Sequence, residues 1–132
     1  MDETDQSSLE SLLVDENALN EELLTDILRE YIRIGQQSGE IIPKSEFQSL
    51  TTKEKTVVVL LAQRALAQLD MAESEWLKPS EISDIGRMKD GTVRPILKKL
   101  KGDLLENEDG KYRVPSYSFE AARSLVNGAR DE

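Results

Sequence analysis

Six basic residues, Arg87, Lys89, Arg94, Lys98, Lys99 and Lys101, fall within residues 87–101, a stretch that holds a single acid, Asp90. The local charge is +5 in a chain whose net charge is -9. A cluster of this sign and density has no covalent chemistry of its own. It offers ammonium and guanidinium groups that can neutralise an anionic surface. Most charge runs are solvated helix faces, but the density of one sign here favours a binding face.

Covalent chemistry finds little support elsewhere. The chain has no cysteine and no histidine, which excludes disulfides, thiolate or imidazole metal sites, and nucleophile–imidazole pairs. Asp84, Asp90 and Asp103 lie near turns, where capping or solvation accounts for them. There is no phosphate-cradling glycine loop. No enzymatic activity and no cofactor are expected.

The acidity is unevenly distributed. Residues 1–50 carry twelve acids and three bases, whereas residues 51–132 carry fourteen of each. The longest apolar run, Val57 to Ala62, is far short of the ~20 residues that span a bilayer. The opening MDETDQSS has neither the basic nor the apolar region of a signal peptide. A cytoplasmic location without membrane association is therefore expected.

The elements that must position the basic stretch follow from periodicity and punctuation. Residues 1–8 are polar and expected to be frayed. Leu19, Leu23, Leu24, Ile27, Leu28, Tyr31 and Ile32 recur at helical spacing, which predicts a helix over 16–34, capped by Asp15 or Asn17 and ended by Gly35. A short helix at 7–13 is compatible with Leu9, Leu12 and Leu13. Residues 35–50, broken by Gly35, Gly39 and Pro43, read as a connector. Thr51 and Glu54 fit a capping box, and the apolar run behind them predicts a helix buried on several sides. Trp76 reads as a packing anchor.

Pro79 suits a first helical position, and Gly86 closes that short helix. Val93, Ile96, Leu97 and Leu100 form the buried stripe of the next helix, which Gly102 ends. The preferred start of this helix is Thr92, which keeps Pro95 in the first turn; a start at Asp90 would cost a backbone bond. Leu104 to Glu106 and Lys111 to Val114 read as strands about an Asp109-Gly110 turn. Phe119, Ala122, Leu125 and Val126 predict a last helix over 118–127. The organisation expected is an acidic arm and connector over 1–50, a domain over 51–127 and a tail over 128–132. The fold class expected is mainly α with a small β-hairpin.

TVRPILKKL followed by GDLLENEDGKYRV resembles the recognition helix and wing of a winged helix-turn-helix domain, of the kind found in GntR-like and archaeal winged-helix regulators. KPSEISDIG is similar to the helix that precedes them. The resemblance covers about residues 51–115. It implies a winged helix-turn-helix with an N-terminal helical extension and a C-terminal helix. It also implies double-stranded DNA as partner, with the helix at 92–101 in the major groove. On that reading Lys89, Thr92 and Arg94 face the bases, and Arg87 belongs to the DNA-binding surface. Lys98, Lys99 and Lys101, with Lys111 and Arg113 on the hairpin, meet phosphates. Glu106, Glu108 and Asp109 would repel a phosphate backbone, so the wing tip is expected to stand off.

The function expected is that of a dimeric transcriptional regulator, with the helix at 16–34 contacting a second copy or a protein partner. The alternative is a winged-helix protein–protein interaction module or subunit of a larger complex, which the acidic N-terminal half would suit.

Overall fold

The computed structural model describes residues 8–130; the expectations for residues 1–7 and for tail residues 131–132 lie outside them. Residues 8–10 form one helical turn. Helix α1 spans Glu16–Leu28, and its start is fixed by Asp15, whose Oδ1 accepts the amides of Asn17 (3.1 Å) and Ala18 (3.3 Å). The helix is shorter than its apolar period predicts. Arg33 and Lys44 both donate to the Arg29 carbonyl, and cations at that end complement the helix dipole.

The chain then turns into a hairpin that the sequence reading takes as helix and connector. β1 (Ile32–Ile34) pairs antiparallel with β2 (Ile41–Pro43), Arg33 opposite Ile42. The Ile-Arg-Ile and Ile-Ile β-branched pairs suit strands. Gly39, at φ +72°, supplies the turn. A short helix α2 (Ser45–Gln48) follows and buries Phe47.

Helix α3, Thr52–Gln68, is the centre of the fold. Its predicted capping box is present: Thr51 Oγ1 accepts the Glu54 amide (3.2 Å) and Glu54 Oε1 accepts the Thr51 amide (2.7 Å). Every residue from Thr56 to Ala62 is buried. Helix α4 (Pro79–Gly86) starts at its proline, with Glu81 accepting the Lys78 amide at 2.8 Å. Helix α5 is Asp90–Leu100, burying Val93, Leu97 and Leu100. α4 and α5 pack on each other and both pack on α3.

β3 (Glu106–Glu108) and β4 (Lys111–Arg113) form the second hairpin. Its turn residues Asp109 and Gly110 both have positive φ, 52° and 78°, the primed geometry that an Asp-Gly pair adopts. Leu77 joins the far edge of β4: its amide donates to the Tyr112 carbonyl (3.0 Å) and its carbonyl accepts the Tyr112 amide (2.8 Å). A 3-10 turn, Ser116–Ser118, leads into α6, Phe119–Arg130, which starts close to its predicted position and buries Phe119, Ala122 and Val126. α6 packs against both α1 and α3, so Leu23, Leu24, Ile27 and Leu28 of α1 join the same core as Val93 and Leu97 of α5. The fold is thus mainly helical, with two small antiparallel hairpins. None of the helices is long and apolar enough to cross a membrane among the described residues.

Pro95 departs from the preferred register. α5 begins at Asp90, with Lys89 as its N-cap residue, so Pro95 lies inside the helix. Its ring nitrogen cannot donate to the Gly91 carbonyl. Both residues are exposed, so water can satisfy that carbonyl. Pro95→Ala restores the donor and is expected to raise the unfolding free energy by about 1–3 kcal/mol. The readout is a higher urea midpoint at unchanged slope; an unchanged or lower midpoint would refute the expectation.

Candidate nucleic-acid interface

The corner between α4 and α5 is built on two tight requirements. The first is close packing at Gly86: a Cβ there would lie 2.6 Å from Met88 Cε and 3.2 Å from Val59 Cγ2. Glycine at this position lets α4 approach α3. The left-handed conformation that ends the helix then falls on the next residue, Arg87, at φ 55°. An L-residue carrying a side chain there costs about 1–2 kcal/mol. A cation is thereby held exposed at a position where glycine would be the unstrained choice.

The second requirement is carried by Asp90. Its carboxylate lies 3.1 Å from the Ser83 hydroxyl of α4 and 2.6 Å from Arg94 Nε of α5. The acid spans the corner and fixes one face of Arg94. It also lies at the start of α5, where the helix dipole favours a negative charge. The Arg94 hydrogen bond, helped by Ser83 and by the guanidinium charge, holds the Asp90 carboxyl below the ordinary carboxylate range, against a smaller opposing effect of burial.

Successive helix residues are rotated by about 100°. With Val93, Leu97 and Leu100 inward, Arg94 and Lys98 lie along one flank of α5 and Thr92 and Lys99 along the other. Gly91 and Pro95 form the crest between them. All six are exposed. Lys89 and Lys101, at the two ends of the helix, are exposed as well. Of the residues expected to face an anionic partner, Arg87, Lys89, Thr92, Arg94, Lys98, Lys99 and Lys101 therefore share one corner and one helix. Lys89 offers no side-chain acceptor, so the first amides of α5 are left without a side-chain cap.

The hairpin bases stand in a different environment. Arg113 is half-buried, with its guanidinium 4.6 Å from the Trp76 ring centroid. It pairs with Glu106 at 2.7 Å and with Glu75 at 3.3 Å. Glu75 also pairs with Arg64 of α3 at 3.2 Å, and Arg64 lies over the Phe119 ring. Tyr117 donates to the other Glu106 oxygen at 2.6 Å. Burial alone would lower the Arg113 pKa, but the two carboxylates outweigh it and raise it. Hydrogen bonds from Tyr117 and then Arg113 lower that of Glu106. This network ties the hairpin to α3 and to the start of α6. Lys111 stands directly opposite Glu108 in the strand register. The hairpin is therefore close to charge-neutral, and Glu106, an expected source of repulsion, is already compensated.

Sequence reasoning identifies Trp76 as an anchor and misses what it anchors. A signal was available: an Asp109-Gly110 turn fixes Glu106 opposite Arg113 and Glu108 opposite Lys111. The Glu75 partner carries no such local signal. No family model, curated protein or solved structure matches the chain.

Two outcomes are expected at this corner. Arg87→Gly should stabilise the fold by about 1 kcal/mol through relief of the left-handed strain, read by urea denaturation. Asp90 titrates lower in the folded than in the unfolded chain. Its contribution is therefore complete at neutral pH and is lost as pH falls below the ordinary carboxylate range toward the folded value. Asp90→Asn should flatten that acid limb of stability against pH, leaving the part due to Glu106; an identical limb would exclude the Asp90 bridge.

Proposed function

We propose that this chain is a winged-helix protein that binds double-stranded DNA, a dimeric transcriptional regulator without enzymatic activity, with α5 as the helix that enters the major groove. The observation that carries this reading is the contrast between the two basic segments. The cations of α5 and its corner are exposed with Asp90 as the acid among them, whereas Arg113 of the hairpin is paired with Glu75 and Glu106 and Lys111 stands opposite Glu108 in the strand register. The order of parts supports it too: α3, the Leu77 bridge, α4, α5 and the β3–β4 hairpin follow the winged-helix order.

Lys98, Lys99 and Lys101 neutralise phosphates in this reading, and the uncapped amides at the start of α5 suit a phosphate as well. Lys89, Thr92 and Arg94 face base edges. Arg94 must exchange its contact with Asp90 for a guanine edge. The pair is solvent-exposed and therefore weak, so a bidentate guanine contact can take its place. Arg87 extends the surface beside α4. Arg113 and Lys111 belong to the hairpin's own structure, so the wing supports α5 from the side.

A protein-interaction module is the second reading. The acidic N-terminal half, with its excess of nine acids over bases, favours it.

Binding of a random duplex pool should weaken steeply with salt, log K falling by roughly 0.9 per phosphate contact. Lys98→Ala with Lys99→Ala should weaken all duplexes alike and reduce that slope by about 2. Arg94→Ala should cost about 1–3 kcal/mol on the selected site and relax one base pair. Arg113→Gln should leave the slope unchanged. Absence of duplex binding at low salt, with recovery of a protein partner, would favour the second reading.

A further inference from the structure

Residues 8–14, which precede α1, expose all of their large apolar side chains. Leu9, Leu12, Leu13 and Val14 are 68%, 74%, 77% and 61% exposed. Four such residues within six positions make a sticky arm, and nothing among the described residues covers them. The arm has local order of its own, with the Leu12 amide donating to the Leu9 carbonyl and the Leu13 amide to the Glu10 carbonyl, both at 3.0 Å.

A matching surface lies elsewhere on the molecule. A groove of about 430 Å³ runs between α1, β1 and the end of α3. Its apolar lining includes Leu24, Leu28, Ile34 and Ala65, and Leu69, 59% exposed, stands at its mouth. Arg29 and Arg33 also line it. The groove sets these two arginines against one acid, Glu21, and residues 1–10 of the chain contain Asp2, Glu3, Asp5 and Glu10 and no base.

The arm stands away from its own groove. Asp15 caps α1 and fixes where the arm departs. The groove begins at Glu21, six residues beyond Asp15, and runs on to β1. None of residues 8–14 lines it on their own chain.

We propose that residues 8–14 dock in this groove on a second copy of the chain, and that the second copy returns its own arm. A reciprocal exchange about a two-fold axis closes after two chains, because each gives one arm and receives one. It buries the four apolar side chains of each arm against an apolar floor and brings Glu10 toward the side of the groove that carries Arg29 and Arg33. This surface lies on α1, β1 and α3, not on α5, so the dimer leaves the basic helix open.

The test uses the full chain without DNA. Light scattering behind a sizing column should give a dimer at micromolar concentration. Leu12→Glu with Leu13→Glu on the arm, and separately Leu69→Glu at the groove, should each raise the dimer dissociation constant by roughly 100-fold or more. Both alter exposed side chains, and unchanged far-UV circular dichroism checks that each variant is folded. The chain has no cysteine, so Leu12→Cys on one chain and Leu69→Cys on another provide a clean cross-linking pair, joined by a short bis-maleimide. Their mixture should give a cross-linked heterodimer. A monomeric wild type, a dimer that both sets of glutamates leave intact, or a double-cysteine chain that cross-links only within itself would overturn the exchange. The arm variant keeps its basic helix, so its retention of duplex DNA is measured separately; a monomeric wild type would remove the dimer from the proposed function and leave its DNA binding to that measurement.

Discussion

The whole structure depends on one helix being buried on all sides. α3 presents an unbroken buried run from Thr56 to Ala62, and such a run is satisfied only if neighbours cover every face. α1, α4, α5 and α6 each supply one cover, and β4 supplies part of another. The three valines of α3 are individually poor helix formers; burial outweighs that preference, since each large apolar side chain removed from water contributes about 1.5–3 kcal/mol. The capping box at Thr51 and Glu54 sets where this run begins, and therefore where each neighbour meets it.

Around that axis, two polar clusters distribute charge in opposite ways. At the hairpin, Glu75 and Glu106 engage Arg113 and Arg64, and Trp76 and Phe119 lie against the guanidinium groups. Positive charge is used there to join segments far apart in the chain. At the α4–α5 corner, Asp90 is the acid, and Arg87, Lys89, Lys98, Lys99 and Lys101 extend into solvent. Two groups of bases that look alike along the chain thus have different electrostatic surroundings. The difference arises because an antiparallel register forces cross-strand partners together, whereas the outer face of a helix carries no such obligation.

Much of the fold was legible in residue order. The capping box, the proline at the start of α4, the Asp109-Gly110 turn and the apolar period of α6 are local signals with local causes, and each stands close to where it was read. The β1–β2 hairpin was not legible, because Ile32 and Ile34 continue the apolar content of α1 and a three-residue strand leaves too short an alternation to separate from a helix. Residue order points to Thr92 as the start of α5 because the penalty at Pro95 is a local signal, whereas the helix starts at Asp90. Asp90 reaches back to Ser83 of the preceding helix, a tertiary bond that periodicity cannot reveal. At the candidate site, residue order gave the basic cluster but not its division. The Arg113–Glu75 pair joins residues 38 positions apart, and only the folded chain brings them together.

The two hydrogen bonds between Leu77 and Tyr112 have a consequence for how α5 meets any surface. They join the residue just before α4 to the strand after α5, so the helical pair is clamped at both ends. α5 cannot shift without carrying the hairpin and the Trp76 network with it. The backbone of α5 is therefore ordered before any contact, and an association through it would lose little backbone entropy. The entropy such an association would cost belongs mainly to the long, exposed lysine side chains.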